Sequence, residues 1–493
     1  MAAIDFIIVF VYLAGVVAVG AWFSRRQKTT KQYFTASGRV PWWAVAASIV
    51  ATETSAVTFI SIPGAAYARN GNFTFLQLAL GYIAGRIVIS ALFIPKYFQG
   101  EILTVYQLLS QRFGNGVKAV LASFFVVMRT AADGIRLLLT AGVLAFVWKA
   151  FAPETDMNVA VAGSIVAMGL LMIVFTLWGG MEAVIWIEVG QLCIYLFGAG
   201  AAAWTLISRV DGGLAGALET AGEYNKTAWT NFSLTLDQSA GHTFWAGVIG
   251  GCFLTMSTHG TDQYLVQRYL CVDSPKRAAA ALLSSGVVVF LQFALFLTIG
   301  VLLFSFYRPF ESAGYATGAA AAPFTKNDEV FTDFITQHLP PGAGGLVVAA
   351  ILAAALSSSL NSIAATAVND LIRPFFVQKA DAFYLKLSKI LTALAGIAQI
   401  AVALAMRDAQ SSALDGVLKI AGLLNGPVLG IFLLGAWVRG AGKLSAAIAL
   451  AAGAAAAIYV WQYTNIFWPW YAAMGALAAL AAGFVMSKIA PNK

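Results

Sequence analysis

Charge is what this sequence has least of. Asp, Glu, Lys and Arg make up 11% of its 493 residues, against about 25% in ordinary soluble domains. With 60% hydrophobic residues and a mean hydropathy of +0.79, that scarcity excludes a soluble globular chain of this length. Three cysteines (Cys193, Cys252, Cys271) lie in or beside apolar segments without a spacing pattern. They predict buried, inert thiols rather than a disulfide framework or a metal site. Three histidines (His242, His259, His338) are scattered, with no metalloprotease His pair and no Gly-x-Ser-x-Gly elbow, so an enzyme is not expected. No low-complexity tail, linker or soluble domain is visible.

What the chain does have is a succession of apolar windows long enough to cross a bilayer. Thirteen spans are expected: 4–23, 41–66, 74–96, 120–148, 158–178, 182–208, 243–267, 278–305, 344–371, 387–406, 415–437, 443–463 and 468–487. An odd number puts the termini on opposite sides. With the N-terminus outside, nineteen Lys and Arg residues fall in inside segments, Lys118 and Arg268 among them, and seven fall outside, among them Lys226. That bias follows the positive-inside rule. The formal charge of +8 is therefore read as basic loops facing the cytoplasm, not as a nucleic-acid surface. Asp5 stands at the start of the first span and Arg25 and Arg26 follow it, the reverse of a secretory leader, which predicts a retained helix. These readings predict a multi-pass protein of the plasma (inner) membrane, with its C-terminus cytoplasmic and no obligate protein partner. Two longer connections, roughly 209–242 and 306–343, are expected to form short surface helices or gates.

Span 2 is interrupted at its middle. Between Pro41 and Pro63 its apolar segments flank Thr52-Glu53-Thr54-Ser55. A charge at mid-bilayer depth costs several kcal/mol or more, so it normally faces a cavity, an ion or a partner. Thr52, Thr54 and Thr58 can bond the backbone and are weak helix formers, and Pro63 with Gly64 weakens the outer end. Ordinary interhelical hydrogen bonding would account for the hydroxyls but not for Glu53. Span 7, with Gly250-Gly251 and Thr255 to Gln263, is interrupted too, five spans later. Broken helices at matching positions predict inverted repeats, approximately 41–208 and 243–437, within one transmembrane transporter domain covering 1–493.

Other spans carry chemistry of their own. Span 9 contains Ala354, Leu356, Ser357, Ser358, Ser359, Leu360, Asn361 and Ser362. Adjacent hydroxyls are hard-oxygen ligands for an alkali ion, although small residues also serve close helix packing. Span 6 follows a tight turn at Gly179-Gly180. Its Glu188 lies about 9 Å deeper than Glu182 by helical rise and needs a cation or a partner. In span 4, Arg129, Asp133 and Arg136 share one helix face. They form either a structural ion cluster or, through one excess positive charge, a seat for an anionic solute. Arg86 and Lys419 are single basic residues that could pair with Glu53 or Glu188.

The stretch Gly179-Gly180-Met181-x-Ala183-Val184-x-Trp186-x-Glu188-x-x-Gln191 resembles the signature of the sodium/solute symporter family. So do Ala354-x-Leu356-Ser357-Ser358 with Leu360-Asn361-Ser362, and Gln267-Arg268-Tyr269-Leu270. The resemblance implies an all-α integral membrane protein with the five-plus-five inverted repeat of the leucine-transporter type. One extra helix would precede the repeats and two would follow. It implies a sodium site formed by backbone carbonyls of Ala51 and Thr54, by Ala354, and by the hydroxyls of Ser357 and Ser358. The chain departs from the family in having Glu188 where an Asp is usual, and in a spacing about one helical turn shorter between Ala354 and Leu360-Asn361-Ser362. Glu188, Glu53 and Ser359 are candidates for a second ion or coupling site; proline carriers of the family also place an acidic residue at the position of Glu53. Solute candidates are Glu53, Ser55, Thr58, Gln77, Arg129, Arg136 and Thr255. Because both signs of charge are present, a carboxylate-bearing solute (an amino acid, a monocarboxylate or a sialic-acid-like sugar) is expected over a neutral sugar or polyol. One sodium ion, with a second possible through Glu188, would drive import by alternating access. A transporter-like sensor acting through a partner protein is the alternative.

Overall fold

The computed structural model describes residues 3–24, 27–54, 56–100, 102–311, 324, 327–356, 359–376, 379–407, 423 and 425–491. Helices dominate, and one isolated bridge joins Asp237 to Ile466. Helix α1 (Ala3–Ser24) is followed by α2 (Trp42–Glu53) and α3 (Ala56–Tyr67), which divide span 2 with a bend of 60°. The threonines of the break act as expected. Thr52 Oγ1 donates to the Ser48 carbonyl at 2.7 Å, Thr54 Oγ1 lies 2.8 Å from that of Val50, and Thr54 leaves helical geometry at ψ 80°. Helix α3 does not weaken at Pro63 but runs through it to Tyr67.

Next come α4 (Leu76–Leu92), α5 (Tyr106–Phe151) and α6 (Met157–Arg209). Helix α6 contains both spans 5 and 6, broken at Gly180, where φ is +57° and a Cβ would lie 2.9 Å from the Tyr33 carbonyl. Only glycine meets both conditions. The second half comprises α7 (Gly213–Glu223), α8 (Gly251–Thr261), α9 (Gln263–Tyr269), α10 (Pro275–Tyr307), α11 (Asn327–Gln337), α12 (Ala343–Leu356), α13 (Leu360–Thr366), α14 (Asp381–Ala405), α15 (Asn425–Trp437), α16 (Lys443–Tyr463) and α17 (Trp470–Ile489). Span 7 is divided into α8 and α9 at Asp262, whose φ/ψ of −89°/120° is extended. Among the described residues, each long connection carries one α-helix, α7 and α11. Among the described residues, seven helices are long and apolar enough to cross a membrane, or eight with the bent α2/α3 pair.

Helix α1 packs on α6 and α12, α2 on α6 and α10, and α4 on α8 and α10, so both broken helices lie inside the bundle. Phe59 of α3 is buried against Tyr195, Phe296 and Phe331. Asp5 fastens α1 to the start of α12, accepting from the Gly342 and Gly345 amides at 2.7 Å each. All three thiols are free, but only Cys271 is buried; Cys193 is exposed and Cys252 intermediate, which corrects the uniform burial expected.

Three basic residues assigned to loops from hydropathy are in fact buried. Arg268 pairs with Glu188, and Lys118 lies 3.9 Å from Asp370. Lys226, in the connection before α8, donates to the carbonyls of Ala66, Tyr67 and Ala68, with Phe304 4.3 Å away. It caps the C-terminal end of α3, satisfying carbonyls that a helix end leaves without a partner.

Candidate functional site

Where the two broken helices meet α5, they enclose a cavity of about 420 Å³. Glu53, Thr58, Arg129, Arg136 and Thr255, five of the expected solute residues, line it together. Gln77 lies elsewhere: its amide donates to the carbonyls of Thr74 and His242, and its oxygen accepts from the Asn231 amide. Ser55 is outside the described residues.

Two charged clusters line this space. At one, Glu53 at the end of α2 accepts from Arg86 Nη2 through Oε2, while Oε1 lies 3.2 Å from His259 Nε2. Arg86 is therefore the partner that the sequence left open for Glu53. At the other, Arg129 Nε donates to Asp133 Oδ2 at 2.9 Å, and Arg136 Nη1 lies 3.5 Å from Asp133 Oδ1. Asp262, from the break in span 7, approaches Arg129 Nη1 at 3.6 Å and caps α9 by accepting from the Tyr264 amide. The excess positive charge read from span 4 is thus cancelled by a carboxylate from another helix.

Behind the cavity lies a third network. Arg268 and Glu188 are each 1% exposed and meet in a fork, Nη2 to Oε1 at 2.5 Å and Nε to Oε2 at 3.2 Å. Ser48 donates to Oε2 and Thr52 Oγ1 lies 3.2 Å from Oε1, tying α6 to α2 and α9. The ring of Tyr264 carries the Arg129 guanidinium at 3.7 Å and the Arg268 guanidinium at 4.5 Å, so one side chain bridges cavity and network.

The candidate ion ligands are seen in part. Ala51 is buried in the last turn of α2, among the carbonyls that a helix end leaves without an intrahelical partner. Thr54 is buried too, its hydroxyl 3.0 Å from Gln292 Oε1 on α10. Ala354 lies on the helical backbone of α12, and Ser357 and Ser358 fall outside the described residues. Ser359 is buried and its hydroxyl accepts from Gln399 Nε2 at 3.1 Å. Sequence reasoning missed His259, Asp262 and the burial of Arg268. The one available signal was that Asp262 and Arg268 stand in a segment otherwise long enough to span.

The chain is similar along nearly its whole length to known carriers. It is 30% identical to the sodium/sialic acid symporter SiaT of Proteus mirabilis over 99% of this chain and 96% of that one. It is 28% identical to the human sodium-coupled monocarboxylate transporter 1, covering 90% and 70%. A structure of the substrate-bound outward-open state of a Na+-coupled sialic acid symporter superposes with a TM-score of 0.87 at 28% identity, covering 100% of this chain and 99% of that one. Mhp1, a nucleobase-cation-symport-1 transporter, shares the fold at a TM-score of 0.53 and 13% identity over 93% of each chain. The sequence profile of the sodium:solute symporter family matches residues 33–453. With its broken helices and interior ion pairs arranged on the leucine-transporter-type fold, the chain belongs to the sodium:solute symporter family, whose members couple solute movement to sodium.

Proposed function

We propose that this symporter takes up a carboxylate-bearing solute of sugar-acid size, and that Arg129 and Arg136 receive its carboxylate. The cavity carries the reading. It offers the Arg129 and Arg136 guanidinium groups on one wall, with Asp262 beside Arg129, and Glu53 with Thr52, Thr58, Thr255, Thr258 and Thr261 on the others. Arg136, 44% exposed and no closer than 3.5 Å to Asp133, is the less committed of the two and the one that can turn its N–H donors to a carboxylate. Its volume of about 420 Å³ falls within the range of roughly 300–1,000 Å³ typical of pockets that enclose drug-sized ligands. A three-carbon monocarboxylate would leave most of it filled with water. Thr52, Thr258 and Thr261 spend their hydroxyl hydrogens on the carbonyls of Ser48, Leu254 and Ser257, so these threonines offer acceptors, which suits a solute that carries hydroxyls of its own. The sialic acid symporters among the relatives support the same size and charge.

Sodium binds where α2 ends, held by the carbonyls of Ala51 and Thr54, by Ala354 and by the hydroxyls of Ser357 and Ser358. Its binding stabilises an outward-open state. The solute then enters beside the broken helices, and rocking of the bundle releases both inside. The repeats 41–208 and 243–437 are the moving units, in a plasma (inner) membrane with the N-terminus outside. Reciprocity requires that solute tighten sodium binding by the same factor.

Uptake into proteoliposomes of labelled N-acetylneuraminic acid, pyruvate, proline and glucose, with sodium or potassium outside, tests the reading. The expected result is sodium-driven uptake of the sugar acid, lost in Arg129→Gln. Sodium-driven uptake of glucose but of no carboxylate would overturn it.

A further inference from the structure

The proposed solute pocket leaves open what Glu53 recognises. We propose that Glu53, held by Arg86 and His259, is a specificity element that accepts a hydroxyl or amide N–H of the solute and selects against a free ammonium; this rests on the reading of the cavity as the solute site.

Charge compensation sets this selectivity. The Glu53 carboxylate is 16% exposed and lines the cavity, whereas Arg86, in contact with Oε2, is wholly buried behind it. Gly286 leaves room for the arginine, since a Cβ there would lie 2.9 Å from Arg86 Cδ. The cavity therefore meets a carboxylate whose charge is already compensated. An ammonium must shed a strongly held hydration shell and needs a net negative partner in return. Here it would meet a neutral pair with a guanidinium directly behind. A hydroxyl or amide loses far less on desolvation and still gains a charge-assisted hydrogen bond.

His259 is the positioning residue. Its Nε2 stands 3.2 Å from Glu53 Oε1 and its Nδ1 3.0 Å from Thr258 Oγ1. In the tautomer with its hydrogen on Nε2, the ring donates to the carboxylate while Nδ1 faces the Thr258 hydroxyl; Nε2 also lies 3.3 Å from Arg86 Nη2. Both oxygens are then fixed, and a lone pair of each remains for the solute.

Matched pairs of solutes test this in proteoliposomes: a sugar acid with an N-acetyl group against its free-amine counterpart, and lactate against alanine. The expected result is that the hydroxyl or amide member of each transported pair competes at least tenfold better. Arg86→Gln, which leaves the Glu53 carboxylate uncompensated, should bring that ratio to near one or reverse it, whereas Glu53→Gln, which leaves the Arg86 charge uncompensated, should not lower it. His259→Ala should reduce it partly, and His259→Gln, which keeps an N–H donor, should restore it. A preference for the ammonium member would overturn the inference. So would a ratio unchanged in Arg86→Gln and His259→Ala, provided both still bind sodium. Because lactate and alanine differ only at this group, the result stands even if no sugar acid is carried; that outcome would instead reject the size reading.

Discussion

Arg268 and Glu188 are 80 residues apart and meet as a fully buried fork, Nη2 to Oε1 at 2.5 Å. The pair joins α9 to α6, and Ser48 and Thr52 add α2. Removing one member leaves the other charged, dry and unpaired. Arg268→Met should therefore cost about 3–5 kcal/mol, whereas Arg268→Met with Glu188→Leu should recover much of it. Apparent melting temperatures of the purified variants would show this; an additive double variant would mean that the pair is not energetically coupled.

Tyr264 lies against Arg129 of the cavity and Arg268 of the buried fork. A ring shared in this way links the solute cavity to the buried fork that ties down α2, the helix at whose end sodium is proposed to bind. Tyr264→Leu is expected to weaken the tightening of sodium by solute about tenfold, while changing either affinity alone by less. Sodium titrations with and without saturating solute provide the measurement. Equal coupling in variant and parent would exclude the ring as the link.

Lys226 supplies a pH dependence outside the spans. Burial pushes its amine down to about 7, far below the usual lysine range. Between that value and the unfolded pKa of about 10.4 the unfolded chain binds the extra proton, so stability rises with pH across this window and is flat in this respect below it. Thermal stability should gain from pH 7 to 9 relative to Lys226→Met, which lacks the group. Parallel profiles for the two proteins would contradict the burial of a titrating amine.

Glu188 is occupied on both oxygens, which leaves one sodium per cycle as the expected stoichiometry. With a monoanionic solute, one sodium moves no net charge, so a tenfold gradient supports about tenfold accumulation, independent of membrane potential. Two sodium ions would add about 2.3 kcal/mol per 100 mV and a second gradient term, giving roughly 5,000-fold. Accumulation near the higher value, rising with an imposed potential, would restore a second ion site.

Much of this was legible residue by residue. Lipid and water sort side chains by polarity, so composition alone made the chain a membrane protein. The polar block around Glu53 announced the break between α2 and α3, and Gly179-Gly180 announced the turn inside α6. The family motifs, local by nature, supplied the function. Which charge meets which was not written locally. Hydropathy weighs each residue against bulk lipid or water, and by that measure Arg268 and Lys226 belong to loops and span 4 has a spare positive charge. Tertiary structure decided otherwise, bringing Asp262 to Arg129, Arg86 and His259 to Glu53, and Arg268 to Glu188. A buried charge is tolerated only beside a specific opposite partner or enough hydrogen-bonding groups, and those come from helices far apart in sequence. The sequence by itself determined that these charges needed partners; only the packing of the helices chose them.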